Sequence, residues 1–99
     1  MGIRSFRNKA TEDINYGRTT KPALKLLPQP IHRKAQLKLA RLSAAATLKD
    51  LRELRGNRFE ALRGNRDGQY SIRINDQYRI CFRWQDSDAE DVEIVDYHR

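Results

Sequence analysis

Residues 69–84 read QYSIRINDQYRICFRW, in which apolar and polar side chains alternate on both sides of Asn75-Asp76. Successive side chains of a β-strand point to opposite faces, so the alternation predicts two strands, and Asn and Asp favour a tight turn between them. The apolar face is formed by Tyr70, Ile72, Ile74, Tyr78, Ile80, Phe82 and Trp84, and the opposite face by Ser71, Arg73, Arg79, Cys81 and Arg83. We therefore expect an antiparallel hairpin with one face in the core.

Further elements are predicted on both sides of this hairpin. Residues 31–46 predict the clearest helix, because Ile31, Ala35, Leu39, Leu42 and Ala46 recur at helical spacing. Strands are predicted at 3–6, 58–63 and 92–97, a short helix at 9–16 before Gly17, and turns at 64–68 and in the acidic segment 85–91. Leu48, Leu51 and Leu54 fit either a helix or a connecting segment.

The segment 18–30 holds all three prolines, Pro22, Pro28 and Pro30, and predicts a mobile loop. The resulting order is one strand, two helices and an antiparallel meander. It predicts an α+β domain spanning residues 1–99, with two N-terminal helices packed on one face of a mostly antiparallel sheet of about four to five strands. The other face of the sheet is expected to be open.

The composition favours a polyanionic partner. The 99 residues include 20 Lys and Arg against 13 Asp and Glu, a formal net charge of +7. Such an excess on a small surface favours nucleic acid over an anionic membrane. Two alternatives remain open: the charge only keeps the protein soluble, or it serves to bind an acidic protein. The single cysteine, Cys81, excludes an intrachain disulfide, and with no signal or membrane segment in view we expect a soluble cytoplasmic protein.

Two groups of residues are candidates for chemistry. Arg73 and Arg79 are expected to be cross-strand neighbours, and two guanidinium groups with no obvious acidic partner fit a phosphate. In the alternative, Asp96 or Glu93 neutralises them. The end of the chain, Asp96-Tyr97-His98-Arg99, includes a histidine whose unperturbed pKa of ~6.5 permits proton transfer near neutral pH. A solvated terminal histidine is the alternative there.

Other sites are not indicated. No ligand spacing for a metal and no glycine loop for a phosphate is present, and no cofactor is expected. His32 is expected to be structural or solvated. The basic face of the long helix, Lys34, Lys38 and Arg41, fits a solvated face better than an RNA contact. The two functions that remain are metal-free cleavage of a phosphodiester and binding without chemistry.

Residues 64–82, GNRDGQYSIRINDQYRICF, closely resemble the hairpin motif of HigB-type toxins in the RelE/ParE superfamily. The ending EIVDYH at 93–98 and the opening IRSF at 3–6 also match, so the resemblance spans nearly the whole chain except 18–30. It implies a RelE-like fold and a ribosome-dependent endoribonuclease that cleaves mRNA. It also implies a HigA-like helix-turn-helix antitoxin as partner, with operator DNA bound only through that antitoxin.

The resemblance, together with the basic face of the long helix for Lys34 and Lys38, gives the candidate site residues. The catalytic set is Arg73, Arg79, His98, Asp96, Tyr97 and Glu60, and the RNA-binding set is Arg63, Arg66, Lys34 and Lys38. Glu60 is a departure, because some HigB toxins have a catalytic histidine at this position. This departure keeps open a ribosome or rRNA binder that does not cleave. A ParE-type gyrase inhibitor is a further alternative, because it shares the same fold.

Overall fold

Four helices and five strands lie between Gly2 and Asp96 in the computed structural model, which describes residues 2–97. The helices are α1 (Lys9–Asn15), α2 (Lys21–Leu26), α3 (Gln29–Ala44) and α4 (Leu48–Arg52). The strands are β1 (Gly2–Ile3), β2 (Glu60–Ala61), β3 (Tyr70–Arg73), β4 (Tyr78–Gln85) and β5 (Asp88–Asp96). The sheet order is β1-β5-β4-β3-β2, with β1 parallel to β5 and the other neighbours antiparallel. The predicted α+β class with a mostly antiparallel sheet is confirmed.

The central hairpin has the predicted register. Arg73 lies opposite Arg79, and Tyr70 lies opposite Phe82. The side chain of Asn75 closes the turn, because its Oδ1 accepts hydrogen bonds from the backbone N–H groups of Gln77 (2.9 Å) and Tyr78 (2.8 Å). The alternation of the sequence therefore determines which side chains enter the core.

The core lies between α3 and the apolar face of the sheet. Its fully buried side chains include Ala35, Leu39 and Leu42 from α3, Ile72 and Ile80 from the hairpin, and Val92 and Ile94 from β5. The helix begins at Gln29, two residues before the predicted start, because Pro30 fits the first turn, where a backbone N–H has no helical partner. It ends at Ala44, and Ala45 is already extended.

The loop predicted at 18–30 is wrong for its central part, which forms α2. Thr20 caps this helix by accepting a hydrogen bond from the Ala23 backbone N–H (3.3 Å), and Pro22 lies in the first turn. Ala23 and Leu27 are fully buried. Asp13, at the end of α1, accepts a hydrogen bond of 2.7 Å from the Thr20 hydroxyl and so ties the two helices together.

Other boundaries also differ from the prediction. Four helices replace the expected two, because residues 48–52 form α4, which begins with a capping box between Thr47 and Asp50. The acidic turn is only Asp86-Ser87, both at positive φ, so β5 begins at Asp88 rather than Val92. The strand predicted at 58–63 is reduced to Glu60–Ala61. Among residues 2–97, no helix combines the length and apolar character that a membrane crossing requires.

The sheet face away from the helices is polar but not bare, contrary to the expectation of an open face. Ser71 and Cys81 are buried there, and Arg79 is only 6% exposed. Arg66 and Glu93 form an ion pair of 3.2 Å on this side of the sheet. This polar layer surrounds the site described next.

Candidate active site

A cavity of about 310 Å³ lies on this polar face, where the central hairpin turns. Its walls are formed by Arg58, Glu60, Arg73, Asn75, Asp76, Arg79 and Tyr97. Four of these residues, Glu60, Arg73, Arg79 and Tyr97, are predicted from the sequence as catalytic. They come from three strands and the residue after β5, so the sheet register is what brings them together.

Arg79 is the most strongly held side chain of the cavity. Its Nε donates to the Ser71 hydroxyl at 2.8 Å, and its Nη2 donates to the carbonyl oxygen of Arg58. The Glu60 carboxylate lies 4.0 Å from Nη2, and the guanidinium lies 5.1 Å from the centre of the Tyr97 ring. Nη1 has no hydrogen bond to any residue within 2–97. The guanidinium is therefore fixed in orientation while part of its donor capacity remains for a ligand.

Glu60 and Tyr97 form a hydrogen-bonded pair beside that guanidinium. The Tyr97 hydroxyl donates to Glu60 Oε1 at 3.0 Å, and this bond raises the pKa of Tyr97 because it favours the protonated phenol. Tyr97 is 49% exposed, so its ring also offers a surface for stacking. A carboxylate, a phenol and a guanidinium thus meet within one cavity.

Arg73 lies directly across from Arg79, as predicted, but both arginines have carboxylate partners. Arg73 is bonded to Asp76 in the turn, and Arg79 lies near Glu60. The expectation that they lack acidic partners is therefore wrong. The neutralising groups are also not the ones that the sequence suggests: Glu93 pairs with Arg66, and Asp96 accepts a hydrogen bond from Gln77 at 3.0 Å. Because Arg58 also lines the cavity, three arginines and two acidic residues form its charged lining.

The other predicted site residues that the structure describes do not line this cavity. Arg66 is held by Glu93 (3.2 Å) and Gln69 (3.1 Å), and Arg63 is exposed outside the cavity. Asp96 does not line the cavity, and His98 lies outside the described residues. Lys34 and Lys38 line a second cavity, which shares Arg73 with the first. Within residues 2–97, no cluster of His, Cys, Asp or Glu side chains is suited to a metal ion.

Sequence reasoning missed Arg58, Asn75 and Asp76 as cavity residues. Arg58 follows Gly56-Asn57 and has a φ of +44°, which turns its carbonyl group toward Arg79. A Gly-Asn pair is a recognisable turn signal, but nothing in the local sequence shows that the next carbonyl binds a side chain on β4. The sequence indicates Asp76 only as a turn residue.

Comparisons with known proteins identify the family and the fold of this chain. A model of the HigB-like toxin family, described as the RelE-like toxin HigB of type II toxin–antitoxin systems, matches residues 5–98. Toxin HigB-1 of Vibrio cholerae is 48% identical over 65 residues, which cover 66% of this chain and 68% of that protein. The structure of YoeB in the YoeB–YefM complex from Staphylococcus aureus is similar over 100% of both chains, with a TM-score of 0.53 and 19% identity. A structure of the YoeB dimer from the same organism matches equally well, and at this identity both show a shared fold.

Proposed function

Because this chain belongs to the HigB-like family of RelE-like toxins from type II toxin–antitoxin systems, we propose that it is a metal-independent, ribosome-dependent endoribonuclease that cleaves mRNA. The observation that carries the proposal is the fixed guanidinium of Arg79, which faces the same cavity as Arg73 and the Glu60–Tyr97 pair. Charge held in place before the substrate arrives stabilises a transition state without reorganisation.

The reaction is attack of a ribose 2′-hydroxyl on the adjacent phosphorus. The new bond joins O2′ to phosphorus, and the bond from phosphorus to O5′ breaks, which leaves a 2′,3′-cyclic phosphate and a 5′-hydroxyl. A base must take the 2′ proton and an acid must supply one to O5′. Glu60 lines the cavity and is our candidate for the base, and His98 is our candidate for the acid. Asp96 stays a weaker alternative base, because it does not line the cavity.

The two hairpin arginines have separate roles in this mechanism. Arg79, immobilised by Ser71 and Arg58, stabilises the charge that develops on the phosphorane oxygens. Arg73 is 29% exposed and reaches the phosphate from the rim of the cavity. Tyr97 positions Glu60 through its hydrogen bond and stacks on a base of the RNA strand. Arg63 and Arg66 remain proposed contacts to the RNA outside the cavity.

The test is cleavage of a defined mRNA on purified ribosomes, with 5′ ends mapped by primer extension. Replacing a transition-state donor typically lowers the rate by ~100-fold to ~1,000-fold, and we expect this for Arg79→Ala. Glu60→Gln keeps the size of the side chain and removes its basicity, so a loss of ~100-fold to ~10,000-fold is expected. The matched control is Arg83→Ala, which removes an arginine from the same face of β4 outside the cavity.

The outcomes separate the proposed function from its rivals. Wild-type cleavage at full rate by Arg79→Ala and Glu60→Gln, with the Arg83→Ala control unchanged, would refute the site. Because Arg79 is buried, thermal unfolding of each variant shows whether lost activity reflects lost structure. The engagement of Glu60 by Tyr97 and Arg79 favours one second candidate, a ribosome binder that arrests translation without new 5′ ends. A ParE-like toxin would instead act on gyrase and leave the mRNA intact.

The partner proposed for this toxin is a HigA-like helix-turn-helix antitoxin, which would neutralise it in the cytoplasm. Operator DNA would then be bound through the antitoxin and not through this chain. Co-expression with the neighbouring reading frame tests the pairing, because growth arrest should be relieved and the two proteins should copurify. Arrest that persists despite soluble expression of the neighbour would refute it.

A further inference from the structure

A second cavity of about 260 Å³ lies between α3 and the end of β3. We call it the basic groove, and its lining residues are Lys34, Leu37, Lys38, Arg41, Gly56, Arg73 and Ile74. Four of the seven carry positive charge, and none carries negative charge. Lys34, Lys38 and Arg41 are spaced at i, i+4 and i+7, which places them on one face of α3.

Lys38 is fixed at the base of this groove. Its ammonium group donates to the carbonyl oxygen of Gly56 at 3.1 Å and to Asn57 Oδ1 at 3.0 Å, and the residue is almost fully buried. Burial lowers the pKa of Lys38, and the charges of Arg41, Lys34 and Arg73 lower it further. Both acceptors of Lys38 are neutral, so its charge is not cancelled locally.

Two more cations of the groove, Lys34 and Arg41, are also uncompensated, whereas Arg73 is paired with Asp76. Neither Lys34 nor Arg41 forms an ion pair or hydrogen bond with a carboxylate within residues 2–97. Like charges held together destabilise a fold unless something compensates them. Leu37 lies beside them and is 55% exposed, so most of its apolar surface is not used in the packing of the fold. A ligand with both an anionic group and a flat apolar surface fits this combination.

Arg73 connects the groove to the candidate active site, because it lines both cavities. We propose that the basic groove binds the phosphate and base of a nucleotide next to the scissile linkage, so that a single RNA strand crosses Arg73 between the two cavities. The proposal rests on the proposed function for the identity of the ligand. In the proposed complex, Lys34 and Arg41 bind the phosphate and Leu37 contacts the base. Lys38 contributes its buried positive charge at the base of the groove.

The test is a titration followed by NMR of the backbone amides, with short RNA probes that carry 2′-methoxy groups. These probes lack the 2′-hydroxyl nucleophile, so binding is measured without cleavage. A dinucleotide has one phosphate and a tetranucleotide has three, so on this proposal only the tetranucleotide supplies a nucleotide for the groove in addition to the first cavity. We expect the tetranucleotide to bind wild type at least ~10-fold more tightly and to shift amides around Leu37.

The variant is Lys34→Ala/Arg41→Ala, in which Lys38 is kept because its removal would disturb a buried contact. It should lose the tetranucleotide advantage but bind the dinucleotide as wild type does. The dependence of log K on log salt should become shallower by about 0.7 for each phosphate that the variant no longer binds. The control, Lys21→Ala/Lys25→Ala, removes two exposed charges of α2 that line neither cavity, and should retain the advantage.

Three results would overturn the proposal: equal binding of both probes by wild type, a tetranucleotide advantage that survives in the double variant, or an equal loss in the control. A decaglutamate peptide tests the rival ligand, an acidic protein segment. Shifts around Leu37 with the peptide but not with the tetranucleotide would also overturn the proposal. Cleavage on ribosomes is scored separately, so failure of the groove and failure of the nuclease function give different results.

Discussion

Asn57 joins two parts of the chain through a buried amide, and its replacement by alanine should be strongly destabilising. The side chain is fully buried; Nδ2 donates to the carbonyl oxygen of Leu51 at 3.0 Å, and Oδ1 accepts from the Lys38 ammonium at 3.0 Å. A hydrogen bond to a charged group contributes ~1.5–3 kcal/mol, and a neutral one contributes ~1 kcal/mol. Asn57→Ala removes both, so the free energy of unfolding should fall by about 3 kcal/mol.

The measurement is urea unfolding followed by the fluorescence of Trp84, the single tryptophan, with linear extrapolation to water. In a domain of this size, about 3 kcal/mol corresponds to a decrease of roughly 15 °C in Tm. The matched control is Asn65→Ala, the same chemical change in the second Gly-Asn pair, where the side chain is exposed. It should change stability by less than ~0.5 kcal/mol.

Two results would refute this reasoning. The first is a loss below ~1 kcal/mol in Asn57→Ala, since the buried ammonium would then not need this acceptor. The second is an equal loss in Asn65→Ala, since burial would then not be the cause. Because the neighbouring Arg58 carbonyl binds Arg79, a real loss at Asn57 should also loosen the cavity and lower cleavage.

Three further outcomes are expected. Leu27→Ala should lower the free energy of unfolding by ~2–5 kcal/mol, because Leu27 is fully buried. Leu24→Ala, at a position that is 42% exposed, should lower it much less. Equal effects of the two variants in urea unfolding would argue against the packing of α2. The pKa of Asp13 is lowered, chiefly by the hydrogen bond from Thr20, so folding favours its carboxylate form. The resulting stabilisation is present above the unfolded pKa near 3.8 and is lost as the pH falls. Between about pH 5 and pH 2, the free energy of unfolding should therefore depend on pH more steeply in wild type than in Asp13→Asn. Burial raises the pKa of the Cys81 thiol, so a disulfide reagent at about pH 8 should modify the native protein far more slowly than the urea-unfolded one, and equal rates would contradict the burial.

The hairpin is predictable because strand alternation is a local property. Tyr70, Ile72 and Ile80 can be assigned to the core from spacing alone, and the tight turn then requires Arg73 to face Arg79. Helix α2 is missed because three prolines within 13 residues favour irregular structure. A proline in the first turn after a capping threonine is compatible with a helix, and a helix of six residues is too short to show a period.

The site is predictable only in part, because several of its contacts join distant residues. The guanidinium of Arg79 binds the carbonyl of Arg58, 21 residues earlier in the chain, and Lys38 binds Asn57, 19 residues later. A backbone carbonyl exists at every position, so no residue type marks the one that is used. The pairing of Arg73 with Asp76 is local enough to be found, but the sequence pattern assigns Asp76 only to the turn.

The short segment 56–58 has a consequence for how the protein meets a polyanion. Its first carbonyl dipole anchors the ammonium of Lys38, and its last anchors the guanidinium of Arg79. A dipole immobilises a cation without cancelling its monopole, so the charge of Lys38, and that of Arg79 beyond the part offset by Glu60, contributes to the long-range potential around the molecule. Encounter with a polyanion should therefore be electrostatically steered, and raising the ionic strength should slow association more than it speeds dissociation.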